Sequence, residues 1–448
     1  MKLTVVGCGY LGATHAACMA ELGHEVLGMD SDMDKVATLN SGKAPFFERD
    51  LDELLTKHTT AGSLKFTASY AEAARFADLH FIGVGTPQTP GENTYDLTHL
   101  HSALRQLAPH LSGPAVVAVK STVPVGTAPR VRDLLHKSAP AGDRVEVAWN
   151  PEFLRESSAI EDTLRPDRLV LGFETERTWA ETLLRKCFKK IIESGTPTIV
   201  TDWATAELAK GAANSFLATK ISFINAMAEL CEKADADVHQ LADILGHDVR
   251  IGRDGMRPGL GFGGGCLPKD LRGFIGQAAK LGAEATTGIL READAVNARR
   301  REAVVHLAHE QLDGGLAGKR ITVWGAAFKP NTDDIRDSPA LAVAQKLHEL
   351  GATVTVTDPK ALDNARKLHP ELGYIEDPIA AVQDADLLLH LTEWSEFGHI
   401  DPRRLAGRPA QTLVIDGRGT LDPDTWRRAG WTYRALGRPE LSSSVRGG

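Results

Sequence analysis

One cysteine, Cys266, stands at the end of a glycine-rich stretch and is followed by Leu-Pro-Lys-Asp. A thiol becomes a nucleophile when a nearby cation or a helix N-terminus favours its thiolate form. Pro268 suits the first turn of a helix, and Lys269 supplies a cation close by. Five glycines between positions 259 and 265 leave bare backbone against which a bulky partner can lie. A flexible loop around a buried structural cysteine would show the same pattern. The choice between a reactive and a structural cysteine therefore depends on residues elsewhere in the chain.

Polar residues upstream and downstream could assist such a thiol. Residues 205–234 are rich in alanine and lack proline, which predicts one long helix of the kind that joins domains or forms a dimer interface. Lys210 and Asn214 would project from one side of it and could donate hydrogen bonds to an oxyanion. The alternative for this pair is a surface lysine beside an ordinary polar residue. Asp270 could orient water or a lysine, or only cap a helix that begins after Cys266.

The first third of the chain must position a second group of residues. A β-branched run, 2–6, leads directly into Gly7-Cys8-Gly9-Tyr10-Leu11-Gly12, and a helical stretch follows. This is the strand–GxGxxG–helix order of a dinucleotide-binding unit. Gly7 permits the tight turn, Gly9 lets the backbone approach a pyrophosphate, and Gly12 lets the helix pack on the strand. The predicted contacts of the cofactor in this motif are Gly7, Gly9, Tyr10, Leu11 and Gly12.

The next predicted strand, 25–29, ends at Asp30. An acid at this distance would bond the ribose 2′-hydroxyl and repel a 2′-phosphate, which favours NAD over NADP. Lys35 follows early in the next helix and would lie near the adenosine ribose, or be an ordinary solvated lysine.

Three further strands end in polar residues. Thr86 follows the strand at 79–84, Thr122 the strand at 115–119, and Glu152 the strand at 145–148. Ligands of doubly wound sheets bind at the carboxyl ends of the strands. Each residue alone could simply hydrogen-bond the backbone of its own turn. Three such residues at one edge of the sheet predict a ligand-binding site.

The last third repeats the strand and helix pattern without GxGxxG, with strands at 320–324, 353–357, 387–391 and 413–415. Lys329, Arg336 and Arg418 lie after strands or in the loops beyond, where they are candidates to pair with diphosphate or cofactor charge. Each of them alone could equally be a solvated cation.

Length and pattern together predict an α/β fold: two Rossmann-like doubly wound domains joined by a long central helix and a helical dimerisation region. The expected division is a NAD-binding domain at 1–200, a central helical and dimerisation domain at 201–300, and a second nucleotide-binding-like domain at 301–438. Residues 439–448 are expected to be a disordered tail.

Composition excludes several classes of protein. The net charge is −8 and no basic block occurs, which argues against nucleic-acid binding. No apolar run of about 18 residues is present, so no membrane span is expected. The five cysteines are scattered, which argues against a disulfide framework or a zinc site, and no metal is expected. The first residues form a strand and not a signal peptide, so we expect a cytoplasmic protein.

The motifs taken together resemble the nucleotide-sugar dehydrogenase family that includes UDP-glucose and GDP-mannose dehydrogenases. The resemblance covers almost the whole chain and is carried by GCGYLG at 7–12, GTP at 85–87, KSTVPVG at 120–126, NPEFLRE at 150–156, ELAKGAANSFLATK at 207–220, GFGGGCLPKD at 261–270 and FKPNTDDIRDSPA at 328–340.

This resemblance implies oxidation of a sugar-nucleotide alcohol to an acid by two NAD molecules used in turn. Glu152 and Thr122, with a water, would handle the proton of the first step. Cys266 would then carry a thiohemiacetal and a thioester, and water activated near Asp270 would release the acid. The implied catalytic residues are Cys266, Lys210, Asn214, Asp270, Glu152 and Thr122. The implied substrate contacts are Glu152, Phe153, Leu154, Lys210, Asn214, Arg250, Phe262, Gly263, Lys329 and Arg418.

The resemblance also places Glu156 and Arg336, with Thr86 and Thr122, on the cofactor side. Arg250 would reach into the site of a neighbouring subunit, so a homodimer or larger homo-oligomer is expected. The Lys-Asp pair after Cys266 and the absence of a preceding histidine argue against a UDP-N-acetylmannosamine substrate. Leu217, where the GDP-mannose branch carries histidine, favours UDP-glucose. GDP-mannose oxidation, a non-catalytic NAD-binding sensor and a single-step hydroxy-acid dehydrogenase remain alternatives, although a sensor would be expected to have lost at least one catalytic residue.

Overall fold

The computed structural model describes residues 1–175 and 178–439. Backbone contacts divide the chain into two compact units. The first unit comprises Met1–Ala213 with Gly276–Gly282, and the second comprises Asn214–Ile275 with the described residues from Ala283 onward. The predicted tail at 439–448 lies outside the described residues except for Pro439.

The described part of the first unit contains one sheet of eight strands. The strands are β1 (Lys2–Val6), β2 (Glu25–Met29), β3 (Leu64–Thr67), β4 (Leu79–Ile82), β5 (Ala115–Val119), β6 (Val145–Trp149), β7 (Leu169–Phe173) and β8 (Thr198–Asp202). Their order is β3-β2-β1-β4-β5-β6-β7-β8. Neighbours are parallel except β6 and β7, which pair antiparallel. The first six strands therefore have the order of a dinucleotide-binding sheet, and β7–β8 extend it.

Helices cover this sheet and account for its buried strands. The helices are α1 (Tyr10–Glu21), α2 (Met33–Asn40), α3 (Leu51–Thr60), α4 (Tyr70–Phe76), α5 (Thr98–Leu107), α6 (Thr127–Ser138), α7 (Ala159–Leu164), α8 (Trp179–Cys187), α9 (Lys189–Glu193) and α10 (Trp203–Ala234). All residues of β4, β5 and β7 are buried, because parallel strands between two helical layers face no solvent.

Helix α10 confirms the predicted long helix. It runs without interruption over 32 residues and carries Lys210 in the first unit and Asn214 in the second. Across the described residues, none of the helices is both long and apolar enough to cross a membrane.

The second unit begins with helices and continues as another parallel sheet. Its elements after α10 are α11 (Val238–Gly246), α12 (Leu267–Lys280), α13 (Gly288–Gln311), β9 (Arg320–Trp324), α14 (Pro339–Glu349), β10 (Thr353–Thr357), α15 (Leu362–Leu368), β11 (Gly373–Tyr374), α16 (Pro378–Ala381), β12 (Leu387–His390), α17 (Ser395–Gly398), β13 (Leu413–Asp416), α18 (Pro423–Arg428) and β14 (Thr432–Ala435). The strand order is β11-β10-β9-β12-β13-β14, with every neighbouring pair parallel.

The predicted fold class is therefore confirmed: both units contain a Rossmann-like sheet in the same strand order. The strands β1, β2, β5, β9 and β10 have the predicted bounds. The strands β3, β7, β8, β11 and β14 were not predicted. β11 has only two residues, and β8 lies at the edge of its sheet with partly exposed side chains. Both therefore lack the continuous apolar run that marks a buried strand.

Candidate functional site

The turn between β1 and α1 has the geometry that a dinucleotide needs. Gly7 has φ of 89°, and a Cβ at Gly12 would overlap the carbonyl oxygen of Gly7, so a side chain at Gly12 would push α1 off the turn. Gly9 stands at the N-cap of α1 without a side-chain cap, and no atom lies within 4 Å of where its Cβ would be. Tyr10 and Leu11 contribute backbone N–H groups to this first turn, and a helix N-terminus of this kind can bind a pyrophosphate.

Asp30 is held in a fixed orientation at the end of β2. Its Oδ2 atom accepts hydrogen bonds from the backbone N–H of Cys8 at 2.9 Å and from Lys35 Nζ at 3.1 Å. Lys35 is thus paired with Asp30 and is not simply a solvated lysine. A carboxylate in this place fits a ribose diol and disfavours a 2′-phosphate, which matches the prediction of NAD.

The ends of β4 and β5 are tied together by their hydroxyl groups. Thr86 donates from Oγ1 to the carbonyl oxygen of Thr122 at 2.6 Å, and Ser121 donates to the carbonyl oxygen of Val84 at 2.6 Å. These bonds bring Thr86 and Thr122 to one edge of the sheet, as the strand ends predicted. Because the Thr86 hydroxyl donates to a backbone carbonyl group, it holds the ends of these two strands together.

Glu152 and Lys210 form a nearly buried ion pair within the first unit. Lys210 Nζ lies 3.2 Å from Glu152 Oε1, and the two side chains are 5% and 14% exposed. Glu152 Oε2 also accepts the backbone N–H of Leu154 at 2.8 Å. The ring of Phe153 lies under the Arg168 guanidinium at 3.8 Å and 5.8 Å from Lys210 Nζ. A carboxylate held in this way can accept a proton, while the ammonium stabilises nearby negative charge.

Lys120 is a buried cation beside this pair that the sequence did not single out. Its Nζ donates to Asn150 Oδ1 at 2.9 Å, and Asn150 in turn donates to the carbonyl oxygen of Val170 at 2.9 Å. Burial lowers the pKa of Lys120 to about 8, although Glu152 acts in the opposite direction. The available signal was its place in the sequence: a lysine directly after a fully buried strand at the ligand edge.

Cys266 lies immediately before the first residue of α12 and is exposed. The backbone N–H of Asp270 donates to the carbonyl oxygen of Cys266 at 2.8 Å, which closes the first helical turn. The positive end of a helix favours a thiolate. The other cysteines are buried, and burial raises the pKa of each: Cys8, Cys18, Cys187 and Cys231. Cys266 is therefore the thiol with access to a substrate.

A polar triad adjoins the start of α12 in the second unit. Asn214 Nδ2 donates to Asp270 Oδ2 at 2.6 Å, and Lys269 Nζ lies 2.7 Å from Asp270 Oδ1. Asp270 is fully buried and Asn214 is 7% exposed. The carboxylate thus fixes the rotamer of the amide predicted to face an oxyanion, so Asp270 does more than cap the helix.

The glycine stretch before Cys266 packs against its own unit, and this differs from the expectation of a bare surface. A Cβ at Gly264 would lie 2.7 Å from the Phe328 ring, and Cβ atoms at Gly263 and Gly265 would overlap the Asp337 carbonyl oxygen and the Arg336 guanidinium. Glycine is required because the segment after β9 covers it closely. Phe262 packs in a buried cluster with Ala218, Leu271 and Ile275, and it is therefore only 6% exposed.

The cations predicted to meet substrate or cofactor charge have partners in the second unit. Arg418 donates to the carbonyl oxygens of Leu391 at 2.8 Å, Gly261 at 3.0 Å and Phe328 at 3.2 Å. It thereby ties the glycine stretch to two strand ends. Arg336 pairs with Asp334 at 2.6 Å, and Lys329 Nζ lies 5.6 Å from the Phe328 ring.

Two further predicted residues lie in loops. The Arg250 side chain is 85% exposed and pairs with Asp248 at 2.6 Å, in the loop after α11. Glu156 is half-buried in the loop after β6, next to Ser157 with φ of 71°. Over the described ranges, no group of three or more His, Cys, Asp or Glu side chains could hold a metal ion.

Comparison with known protein families matches three successive stretches of the chain to one family. Residues 1–192 match the NAD binding domain of the UDP-glucose/GDP-mannose dehydrogenase family, residues 204–299 its central domain, and residues 322–423 its UDP binding domain. The chain belongs to the UDP-glucose/GDP-mannose dehydrogenase family. The family resemblance stated from the motifs is confirmed, and so is NAD as its cofactor. The domain match also indicates a nucleotide-sugar substrate for this dehydrogenase.

Individual relatives cover the whole length. The chain is 40% identical over 440 residues to the UDP-glucose 6-dehydrogenase of Rhizobium meliloti, covering 98% of this chain and 100% of that one. It superposes on the UDP-glucose dehydrogenase of the archaeon Pyrobaculum islandicum with a TM-score of 0.90 at 37% identity, over 98% of each chain. The UDP-D-ManNAc dehydrogenase of Pyrococcus horikoshii is similar at a TM-score of 0.86 and 26% identity, over 98% of this chain and 99% of that one.

Proposed function

We propose that this dehydrogenase oxidises UDP-glucose to UDP-glucuronate through a thioester on Cys266, with two NAD⁺ reduced per sugar. The observation that carries the proposal is an exposed thiol at the start of α12, in the same unit as the buried Asn214–Asp270 pair. The relatives at 37% to 40% identity, which carry the name of a UDP-glucose dehydrogenase, support this substrate.

The residues of the first unit fit the cofactor and the first oxidation. The β1–α1 turn and Asp30 would hold NAD⁺, which when bound accepts hydride from the sugar C6 in both oxidations. Glu152, with Thr122 and a water, takes the hydroxyl proton as the C6 alcohol becomes an aldehyde. Lys210 balances the charge on Glu152 at 3.2 Å and stabilises the oxygen as it becomes negative.

Residues of the second unit would complete the oxidation. The Cys266 thiolate forms a bond to the aldehyde carbon, and the amide of Asn214 donates to the resulting oxyanion. Loss of the second hydride leaves a thioester. Water oriented by Asp270 then attacks the acyl carbon, the carbon–sulfur bond breaks, and the sulfur leaves as thiolate. The net change is one alcohol, one water and two NAD⁺ to one carboxylate, two NADH and three protons.

The remaining site residues support binding of the sugar nucleotide. We propose that Phe153, Leu154, Phe262 and Gly263 contact it, that Lys329 and Arg418 face its diphosphate side, and that Glu156 and Arg336 lie toward the cofactor. Because Arg418 already donates to three carbonyl oxygens, its contribution would include holding the glycine stretch in place. We propose that the NAD-binding domain ends near residue 200 and that the UDP-binding domain begins near residue 300, with the central domain between them.

The ratio of NADH formed to sugar consumed tests this function. We expect two NADH per UDP-glucose, measured by absorbance against the acid quantified by chromatography. A ratio of one would indicate a single-step dehydrogenase and overturn the thioester route. GDP-mannose, assayed in parallel, should be turned over at least about tenfold more slowly, since Leu217 stands where that branch carries a histidine; equal rates would contradict the assignment. No NADH with either sugar would favour a sensor.

We propose further that α10 forms a homodimer interface. Phe216, Phe223 and Leu230 are 66%, 50% and 59% exposed and recur at intervals of seven residues, which puts them on one stripe of the helix. Large exposed apolar side chains along one stripe are typical of an association surface. An interface there would be consistent with Arg250 acting in the site of a second subunit.

Charge placed on this stripe should separate the subunits. Phe223→Lys is expected to shift the chain from dimer or larger oligomer to monomer at micromolar concentration, as measured by analytical ultracentrifugation. Leu368→Lys, on α15 and 61% exposed, is the matched control and should leave the mass unchanged. An unchanged mass for Phe223→Lys, or a monomeric unmodified chain, would rule out this interface.

A further inference from the structure

A small cavity lies against Glu152 and Phe153 in the first unit and is used by none of the steps above. It has a volume of about 50 Å³. At roughly 10–15 Å³ of such space for each molecule, it has room for about three to five waters. Its polar lining includes Lys120, Asn150 and His15. A polar cavity of this size beside a catalytic carboxylate is suited to hold a short chain of water.

Lys120 and Glu152 both line this cavity. Lys120 is 7% exposed, and its Nζ donates to Asn150 Oδ1 at 2.9 Å and lies 5.8 Å from the Phe81 ring. The titratable or charged groups that influence it from the surrounding elements are Glu152, Lys210, Cys187 and His15. Because burial lowers its pKa to about 8, the amine can lose and regain a proton near neutral pH, which an ordinary lysine does not.

His15 provides a second polar group in the cavity lining. It is 1% exposed, and among the described residues its Nε2 atom has no hydrogen-bond partner. Burial holds the pKa of His15 well below its usual range, so the ring is neutral and can both donate and accept. A buried polar nitrogen is rarely left without a partner, so a water in the cavity is its natural one.

The cavity also reaches the surface of the first unit. Asp162, Asp167 and Arg168 line it, and Asp167 is exposed to solvent. Asp162 is bound to Arg155 at 2.6 Å, which fixes one side of the opening. A carboxylate at the mouth can take up protons from the cavity water and release them to solvent.

We propose that Lys120 and this cavity form the exit route for the proton that Glu152 takes from the C6 hydroxyl. The inference rests on the proposed function, in which Glu152 takes one of the three protons released per sugar. The proton taken by Glu152 from the C6 hydroxyl passes to the neutral amine of Lys120, from the resulting ammonium to cavity water, and from there past Asp167 to solvent. Glu152 is left as a carboxylate and Lys120 as an amine, so both are reset without a co-reactant.

In this route Lys120 accepts the proton from Glu152 and passes it on, without contacting the substrate itself. Its relay requires the neutral amine, which increases as pH rises through about 8. We expect the turnover number of the unmodified enzyme to rise over this range. Lys120→Arg keeps the charge and a donor to Asn150 but cannot lose its proton near neutral pH. This variant should lose the rise in turnover near pH 8.

The experiment compares proton release with NADH formation in a single turnover, using a pH indicator in weak buffer and UDP-glucose with NAD⁺. In the unmodified chain the two should keep pace. In Lys120→Arg and Lys120→Met, release of the proton that accompanies the first oxidation should lag by about tenfold or more, with a larger solvent deuterium effect on kcat and an unchanged KM. His15→Leu should show the same lag, whereas His15→Gln, which keeps a polar atom, should lag less.

Lys189→Met, an exposed lysine on α9, is the matched control and should behave as the unmodified chain does. Should Lys120→Met fail to fold, Lys120→Arg and the His15 pair still decide the outcome. Proton release in step with NADH in all these variants, or an unchanged rise near pH 8 in Lys120→Arg, would overturn the exit route alone. Absence of NADH in the unmodified chain would instead overturn the proposed function.

Discussion

Replacement of Cys266 by serine should lower formation of the uronic acid on the order of 10³-fold or more, which corresponds to about 4 kcal/mol of transition-state stabilisation. A serine hydroxyl is a far weaker acid than a thiol, so an environment that favours a thiolate at a helix N-terminus leaves serine protonated. Acid is measured by chromatography of the nucleotide sugar. NAD⁺ affinity, measured by calorimetry, should stay within about twofold, since the dinucleotide turn lies in the other unit.

Cys231→Ser provides the matched control. Cys231 is a buried thiol on α10, and burial raises its pKa, so it has no route to the reaction. That variant should keep acid formation within a few-fold of the unmodified chain. Near-normal acid production by Cys266→Ser would refute a covalent role for the sulfur, and so would the absence of an acyl mass on Cys266 under slowed hydrolysis.

Replacement of Asp270 by asparagine should lower turnover by roughly 10²- to 10⁴-fold and make the thioester accumulate. The carboxylate is fully buried and binds both the Asn214 amide and the Lys269 ammonium. An amide of the same shape keeps the packing but cannot accept a proton from water, and it leaves Lys269 beside a neutral group. Hydrolysis should then become the slow step, so mass spectrometry of the quenched enzyme should find the acyl group on Cys266.

Asp294→Asn separates this effect from the loss of any ion pair of α12. Asp294 pairs with Arg272 of that helix at 3.0 Å, and its side chain is 28% exposed. The control should lose at most about 1 kcal/mol of stability and keep its turnover. A slow Asp270→Asn enzyme with no acyl species would show that Asp270 acts before the thioester forms, through Asn214, and would contradict its role in hydrolysis.

Local sequence signals predicted the geometry of several segments. The glycine pattern of the β1–α1 turn depends on φ and on space for a Cβ, both of which the residue types dictate. Asp30 follows from the length of one strand and one helix. Cys266 could be placed at a helix start because Pro268 fits only the first turn. The long α10 follows from alanine content and the absence of proline over 32 residues.

Pairing and burial depended on residues distant in the chain. Lys120 reads as any lysine after a strand, and only the packing of β6, α1 and α9 encloses it next to Glu152. Arg418 reads as a free cation, but it is turned inward by the carbonyl groups of Gly261 and Phe328.

The sequence by itself thus determined the fold class, the cofactor motif and the place of Cys266 at a helix start, because these follow from backbone constraints within a few neighbouring residues. The tertiary structure alone decided which charges are desolvated, which cations are already satisfied and what covers the glycine stretch. Desolvation and hydrogen-bond satisfaction are properties of what packs against a group, and its packing partners come from remote parts of the chain.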